Sequence, residues 1–163
     1  MFREVRRNKK QILSQEESVE ILEKSTAGVL SLVGDNDYTY GVPLSHVYHQ
    51  GVLYFHCAKK GHKIDAINKH SKVSFTVIDK DQVVSEEYTT YFRSVIVFGK
   101  ASLIKDKDEQ RKILSLFVDK FSPDFVEGGK EEIEKELVAV QIIRLDIDHI
   151  SGKEAIELAK ARG

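Results

Sequence analysis

A short glycine turn rich in lysine is the segment of this sequence best suited to bind an anion. It reads A-K-K-G-H-K from Ala58 to Lys63, between an apolar run that ends at Cys57 and a helical pattern that begins near His62. Backbone N–H groups at a helix start lack intrahelical partners, and the helix dipole favours negative charge there. Gly61 permits the positive φ that a phosphate-binding turn often requires. The competing interpretation is a solvated charged loop, because most helix N-termini hold no ligand.

Lys63 is the strongest candidate for function in this turn. A cation in the first turn of a helix opposes the helix dipole, and its placement is explained if an anion is bound. A phosphate group carries about −1.5 to −2 charges near neutral pH, so one ammonium needs assistance. The candidates for that assistance are His62, Lys60, Ser94 and the N–H groups of the turn. The alternative for Lys63 is an exposed surface lysine.

Length, charge and cysteine content limit the possible classes of protein. The chain has 163 residues with 25 Lys and Arg against 26 Asp and Glu. We expect one domain over residues 1–163, and the balanced charge argues against nucleic-acid binding. The one cysteine, Cys57, excludes an intramolecular disulfide and is interpreted as an inert small apolar side chain. No apolar run approaches the roughly 20 residues of a membrane span and no signal peptide is recognised, so we expect no membrane partner and a cytoplasmic protein.

The periodicity predicts a mainly β protein, a β-barrel with flanking helices. Strands are predicted over 27–33, 38–48, 52–57, 72–78, 87–104 and 137–147, and helices over 14–24, 62–69, from 106 to Pro123 and over 153–161. Asp79-Lys80-Asp81 is predicted to end the fourth strand, and Glu127–Glu136 is predicted to be a polar surface segment. Because strands and helices do not alternate regularly, the sheet should be antiparallel and closed.

Several motifs, in order along nearly the whole chain, resemble those of the pyridoxamine 5′-phosphate oxidase-like family of FMN-binding split β-barrels. His56-Cys57-Ala58 with Gly61 and Lys63 is similar to its H-x-A-x-x-G-x-K segment. The other similar segments are Arg6-Arg7, Tyr40–Leu44, Tyr91–Ala101, which carries one extra residue between Tyr and Ser of the family's Y-x-S-V-x-x-x-G-x-A pattern, and Ile150–Lys153. The nitroimidazole-resistance subgroup is the one that the chain resembles most.

The resemblance implies a cofactor, a partner and a set of site residues. It implies a homodimer that binds FMN in the groove between its subunits. The implied cofactor-binding residues are Val42, Pro43, Leu44, His56, Cys57, Ala58, His62, Lys63 and Ser94. An isoalloxazine ring requires an apolar wall beside backbone donors and acceptors, which suits the segment 42–44. For that segment, however, ordinary barrel core is an equally good interpretation.

The resemblance also implies flavin-dependent oxidation or reduction of a small molecule, for which a nitro-aromatic compound is one candidate. The alternative is a non-catalytic flavin- or haem-binding protein for storage or sensing, with His56 or His149 as iron ligands. Pyridoxamine-phosphate oxidation itself is disfavoured, because that enzyme's substrate site contains a Trp in a longer C-terminal segment and this chain has no Trp. No zinc-like spacing is found among the histidines, so no metal site is expected.

Overall fold

The structure, a computed structural model, describes residues 1–163 and contains seven strands and five α-helices. The strands are β1 (Ala27–Val33), β2 (Thr39–Ser45), β3 (Val47–His49), β4 (Val52–Ala58), β5 (Lys72–Val84), β6 (Thr89–Ile104) and β7 (Val140–Glu154). The helices are α1 (Gln15–Lys24), α2 (His62–Lys69), α3 (Lys107–Phe121), α4 (Val126–Glu136) and α5 (Ile156–Ala161). None of these helices has the length and apolar character that crossing a membrane requires.

All strands belong to one antiparallel sheet with the order β2-β1-β5-β6-β7-β4-β3. The two end strands, β2 and β3, are consecutive in the chain and are separated only by His46. The chain therefore joins the two edges of the sheet at this residue, and the sheet curls into a barrel that is split between β2 and β3, which do not pair with each other. The predicted mainly β barrel with flanking helices is confirmed.

Two apolar cores position the strands. Inside the barrel, Phe55 and Phe75 are fully buried and their rings pack edge to face. Outside it, α3 and α4 cover β4 and β7, and a second core forms around Tyr54, Phe117 and Ile142. β4 is therefore packed on both faces, so that neighbouring residues of this strand contact different cores.

The segment Glu127–Glu136, predicted as a polar surface segment, is mostly exposed, and the structure adds that it forms helix α4. Ile133 and Leu137 are buried there in the second core, packed with Leu114 of α3. A glycine pair and few apolar residues favour a loop when the sequence is considered alone. Packing against α3 supplies the stability that local propensity lacks.

The bounds of two strands, β5 and β7, also differ from the prediction. Asp79 does not end β5, because a shift of register between Ile78 and Lys80 absorbs it as a bulge and the strand continues to Val84. β7 begins at Val140 and continues to Glu154, so that α5 begins only at Ile156. β5 and β7 both continue past their predicted ends because pairing with β6 extends them through residues with little β propensity.

A buried carboxylate holds the end of β7 against its neighbours. Glu154 is 0% exposed and accepts hydrogen bonds from Nε of Arg93 at 2.9 Å and from Nε of Arg162 at 2.5 Å. Arg93 also pairs with Asp79 at 3.2 Å, and Arg162 also pairs with Glu17 of α1. Burial opposes the charge of Arg93, but its hydrogen bonds to Glu154 and Asp79 outweigh burial and raise its pKa. The chain's C-terminal residues are thus fixed to β5, β6 and α1.

Candidate functional site

The turn between β4 and α2 has the backbone geometry that an anion site requires. Gly61 is the N-cap of α2 with φ of 138°, a conformation that side-chain-bearing residues rarely adopt. No side chain caps the helix, so its first N–H groups are free to bind a ligand. The helix and its glycine turn lie where the sequence predicts them.

Lys63 stands in the first turn of α2 and is half-buried. It forms no ion pair with any carboxylate, whereas Lys69 at the other end of the helix lies 4.0 Å from Asp35. An unpaired, half-buried ammonium beside uncapped N–H groups gives this corner an excess of positive potential. The corner can therefore accept a phosphate without first breaking an internal ion pair.

Cys57 lies close to Lys63 but is not an activated thiol. Burial raises the pKa of Cys57, and this effect outweighs the opposing influence of the Lys63 charge. The thiol is therefore protonated at neutral pH and is a poor nucleophile. Its side chain packs against the barrel core, in agreement with the interpretation of Cys57 as a small apolar residue.

The ring of His62 fastens α2 to the rest of the barrel. It stacks on Tyr40 of β2 with centroids 4.1 Å apart, and its Nε2 accepts a hydrogen bond from the backbone N–H of Asp35 at 3.3 Å. An accepting Nε2 places the ring proton of the neutral imidazole on Nδ1. His62 therefore positions the α2 corner beside β2, and Nδ1 is its remaining donor.

Strand β2 combines an apolar face with an unpaired backbone edge. Val42 and Leu44 pack against the barrel core, while Pro43 is exposed and lies opposite Val29 of β1. β2 is an end strand of the sheet, where a proline can be accommodated without losing a ladder hydrogen bond. The side chains 42 and 44 act as barrel core, and the edge of this strand remains open for a ligand.

The last residues of β4 diverge from one another. His56 and Cys57 have opposite orientations, since Cys57 contacts the barrel core and His56 contacts Phe117 of α3 edge-on at 4.8 Å between centroids. Ala58 is exposed and pairs with Val140. The structure thus places the side chain of His56 beside the helix pair and that of Cys57 beside Lys63.

Ser94 lies in a separate region, on the outer face of β6 opposite Lys153. It lines a cleft of ≈ 460 Å³ beneath the N-terminal segment, together with a set of cations and polar residues: Arg3, Arg6, Arg7, Ser151 and Lys153. Phe2 anchors this segment by stacking on His149 at 4.8 Å. The sequence shows the N-terminal arginines and the Ile150–Lys153 motif as separate features. They lie in one cleft only because the N-terminal segment folds back over β6 and β7.

Within one chain, Ser94 and Lys63 belong to different sites. His62, the neighbour of Lys63, accepts a hydrogen bond from Asp35, which follows β1, and antiparallel pairing places that end of β1 at the start of β5. The start of β5 pairs with Lys100 of β6, which is about 20 Å along that strand from Ser94, at about 3.3 Å per residue. Lys63 does not line the cleft that contains Ser94, and no hydrogen bond joins the two positions. The structure therefore groups β2, Cys57, His62 and Lys63 and separates Ser94 from them.

The structure combines an antiparallel barrel and flanking helices with an uncapped helix N-terminus after the fourth strand. A family model described as "Pyridoxamine 5'-phosphate oxidase" matches residues 14–154. The chain therefore belongs to that family, as its motifs predict. A search of curated proteins finds no match to the chain.

Solved structures with the same fold have related descriptions. A candidate 5-nitroimidazole antibiotic resistance protein from Bacteroides thetaiotaomicron is 19% identical, with TM-score 0.73, and the match covers 88% of this chain and 86% of that chain. The flavocytochrome Anf3 from Azotobacter vinelandii is 25% identical, with TM-score 0.73 and coverage of 87% and 67%. An FAD and heme binding protein from Mycobacterium smegmatis is 23% identical, with TM-score 0.75 and coverage of 95% and 80%.

Proposed function

We propose that this protein binds FMN, with the phosphate at the α2 corner, and that the bound flavin oxidises or reduces a small molecule. The observation that carries the proposal is Lys63, a half-buried lysine without an ion pair beside the uncapped N-terminus of α2. The open edge of β2, held next to this corner by the stack of Tyr40 and His62, offers backbone groups to the isoalloxazine ring. These groups fit a flavin with a terminal phosphate.

The separation of Ser94 from Lys63 supports a homodimer as the binding form. If both residues contact one flavin, they must come from different copies of the chain. The basic cleft around Ser94 would then add cations from the second subunit. Exposed apolar side chains support the same conclusion, since Ile78 is 69% exposed on the outer sheet face and Tyr88 is 97% exposed at the tip of the β5–β6 hairpin.

The redox chemistry would come from the flavin, while the protein supplies position and electrostatics. The chain offers no activated nucleophile at the site, since Cys57 is protonated, and the site therefore suits electron transfer better than covalent catalysis. A nitro-aromatic compound is a candidate acceptor, in line with the description of the Bacteroides thetaiotaomicron structure. Two relatives are described as binding flavin together with haem, so haem is the competing cofactor.

The proposed function can be tested on freshly purified protein. We expect two broad flavin bands rather than one intense haem band, FMN rather than FAD after release, and sedimentation at twice the chain mass. Under strict anaerobiosis, the chemically reduced protein should be reoxidised by a nitro-aromatic compound faster than free reduced FMN is. Equal rates would support storage or sensing, and a haem spectrum or a monomer that holds FMN would contradict the proposed site.

Replacement of Lys63 by alanine should weaken FMN binding without unfolding the protein. Loss of a charge-assisted hydrogen bond costs about 1.5–3 kcal/mol, which is roughly ten- to hundredfold in affinity. Riboflavin lacks the phosphate and should bind the wild type and Lys63→Ala equally. Titration of the apoprotein with each flavin, followed by flavin fluorescence, measures both affinities.

Lys69→Ala is the matched control for this measurement. It removes the same charge from the same helix, but at the end opposite the proposed phosphate site. We expect its FMN affinity to stay within about twofold of the wild type, because exposed charges at a distance are screened by salt. Unchanged FMN affinity in Lys63→Ala would show that the phosphate binds elsewhere, and the basic cleft would then be the next site to examine.

A further inference from the structure

A second cavity lies on the opposite side of β4 from Cys57, between the barrel and the helix pair α3–α4. Its volume is ≈ 370 Å³, which is the size of a small-molecule site. His56 of β4 forms part of one wall, and the two helices form the others. Neither Lys63 nor the edge of β2 at residues 42–44 takes part, so this cavity is distinct from the proposed flavin site.

One wall of the cavity is aromatic. Phe117 and Phe121 stack with centroids 6.0 Å apart and an interplanar angle of 14°, and Phe125 completes the wall. Phe125 is 73% exposed, so this side chain is not retained by the core. Aromatic faces arranged in this way bind flat apolar groups and also attract cations.

The rim of the cavity is acidic. Glu132 and Glu136 both line it and stand one turn apart on α4, where two like charges destabilise a helix. Glu136 is half-buried and forms no ion pair, and the only cation near Glu132 is Lys135 at 4.0 Å. No lysine or arginine lines the cavity, and His56 is the other titratable group that faces it. The negative charge at the rim is therefore not balanced within the cavity, and a cationic ligand could balance it.

Gly128 lines one side of the cavity. Its neighbour Gly129 is required by packing, since a Cβ there would lie 2.7 Å from Val118. A Cβ at Gly128 would meet nothing within 4 Å, so packing does not explain this glycine. A methyl group at this position would project into the open space beside the cavity.

We propose that this cavity binds a small organic cation with an aromatic ring, such as an arylalkylamine. The ring would lie against the wall formed by Phe117, Phe121 and Phe125, and the ammonium would be held between Glu132 and Glu136. The proposal does not depend on flavin binding, because neither Lys63 nor residues 42–44 line this cavity. His56 is the one residue of the implied cofactor-binding set that does.

Fluorine NMR titration with 4-fluorophenethylamine tests the proposal, with the neutral 2-(4-fluorophenyl)ethanol as the matched probe. We expect the amine to bind the wild type about tenfold more tightly than the alcohol, as two partly exposed carboxylates and aromatic faces allow. The double variant E132Q/E136Q should lose this preference while still binding the alcohol. Phe125→Ala should weaken both probes, and its exposed position means that the fold is retained.

The double variant E127Q/E131Q is the matched control. It removes two carboxylates with the same spacing from the same helix, but neither residue lines the cavity. Its preference for the amine should equal that of the wild type. The proposal is overturned if the wild type binds neither probe. Coverage of the cavity by a second subunit would give this result. Equal binding of both probes, or an equal loss of preference in the two double variants, would also overturn it.

Discussion

Substitution of Glu154 by glutamine is expected to lower the free energy of unfolding by about 3 kcal/mol. Removing one partner of a buried ion pair typically costs about 3–5 kcal/mol, because the remaining charge is left without compensation. The lower end of this range applies here, because Arg93 keeps its ion pair with Asp79 and Arg162 keeps its ion pair with Glu17. Urea denaturation, with the slope of the transition held common to both proteins, measures this difference.

The loss should be concentrated where the chain ends meet the barrel. The backbone carbonyl of Glu154 also accepts a hydrogen bond from the side chain of Gln11, and the next residue, Ala155, donates its N–H to Phe92. Displacement of Glu154 therefore disturbs the N-terminal segment as well as α5. The increase in amide hydrogen exchange rate from the wild type to Glu154→Gln should be larger in these segments than in β1 or β4.

Glu157→Gln provides the control for this prediction. Glu157 lies three residues further on, and its side chain forms no hydrogen bond or ion pair. Its replacement should change stability by less than about 0.5 kcal/mol. If Glu154→Gln lowered the free energy of unfolding no more than Glu157→Gln does, the ion pairs of Glu154 with Arg93 and Arg162 would contribute nothing to stability.

Elements with strong local signals could be predicted from the sequence. The capping box of Ser14 and Glu17 forms as expected and begins α1, and Gly61 begins α2 at the predicted residue. In both cases the signal and the structure it determines lie within four residues of each other. β1 was predicted with its observed bounds because a turn cluster follows it directly.

Elements that depend on distant partners could not be predicted in this way. Helix α4 requires the surface of α3, and the continuation of β5 past Asp79 requires pairing with β6. The partners of Glu154 lie 61 residues before it and 8 residues after it, so no local pattern shows that this carboxylate is buried. Tertiary contacts determine these features, and such contacts cannot be recognised in the hydrophobic periodicity of the sequence.

In the candidate site, too, local features could be predicted from the sequence and features that depend on distant contacts could not. Lys63 and its glycine turn form one local unit, so their residue types and spacing predict an anion site directly. His62 was predicted as a helper of Lys63, and the structure adds a contact that only the fold can create, its stack on Tyr40. Ser94 is remote from that unit within one chain, and only a second subunit would bring the two together.

Acidification should destabilise the protein through His46, which joins the two edges of the sheet. His46 is 0% exposed and packs edge-on against Phe75, and its Nε2 donates to the carbonyl of Leu22 at 2.9 Å. Nδ1 has no partner. Burial lowers the pKa of His46 to about 4; the bond to Leu22 opposes this shift, and the charge of Lys120 adds to it.

The sign of the effect follows from proton binding. Between pH 6.5 and about 4 the unfolded chain binds a proton at His46 and the folded protein does not, so unfolding is favoured as the pH falls. The contribution of neutral His46 is complete above pH 6.5 and is lost progressively down to about pH 4. A shift of about 2.5 units corresponds to about 3 kcal/mol of lost stability over this range.

Comparison with two variants separates this effect from the titration of carboxylates. His46→Gln keeps a side-chain donor for the carbonyl of Leu22 but cannot titrate, so its free energy of unfolding should fall less steeply over the same pH range. His49→Gln removes an exposed histidine three residues away and should retain the wild-type pH dependence. Urea denaturation at intervals from pH 7 to pH 4 measures all three proteins. Parallel curves for the wild type and His46→Gln would show that His46 is protonated equally in the folded and unfolded states, and would contradict its role as a neutral buried corner of the barrel.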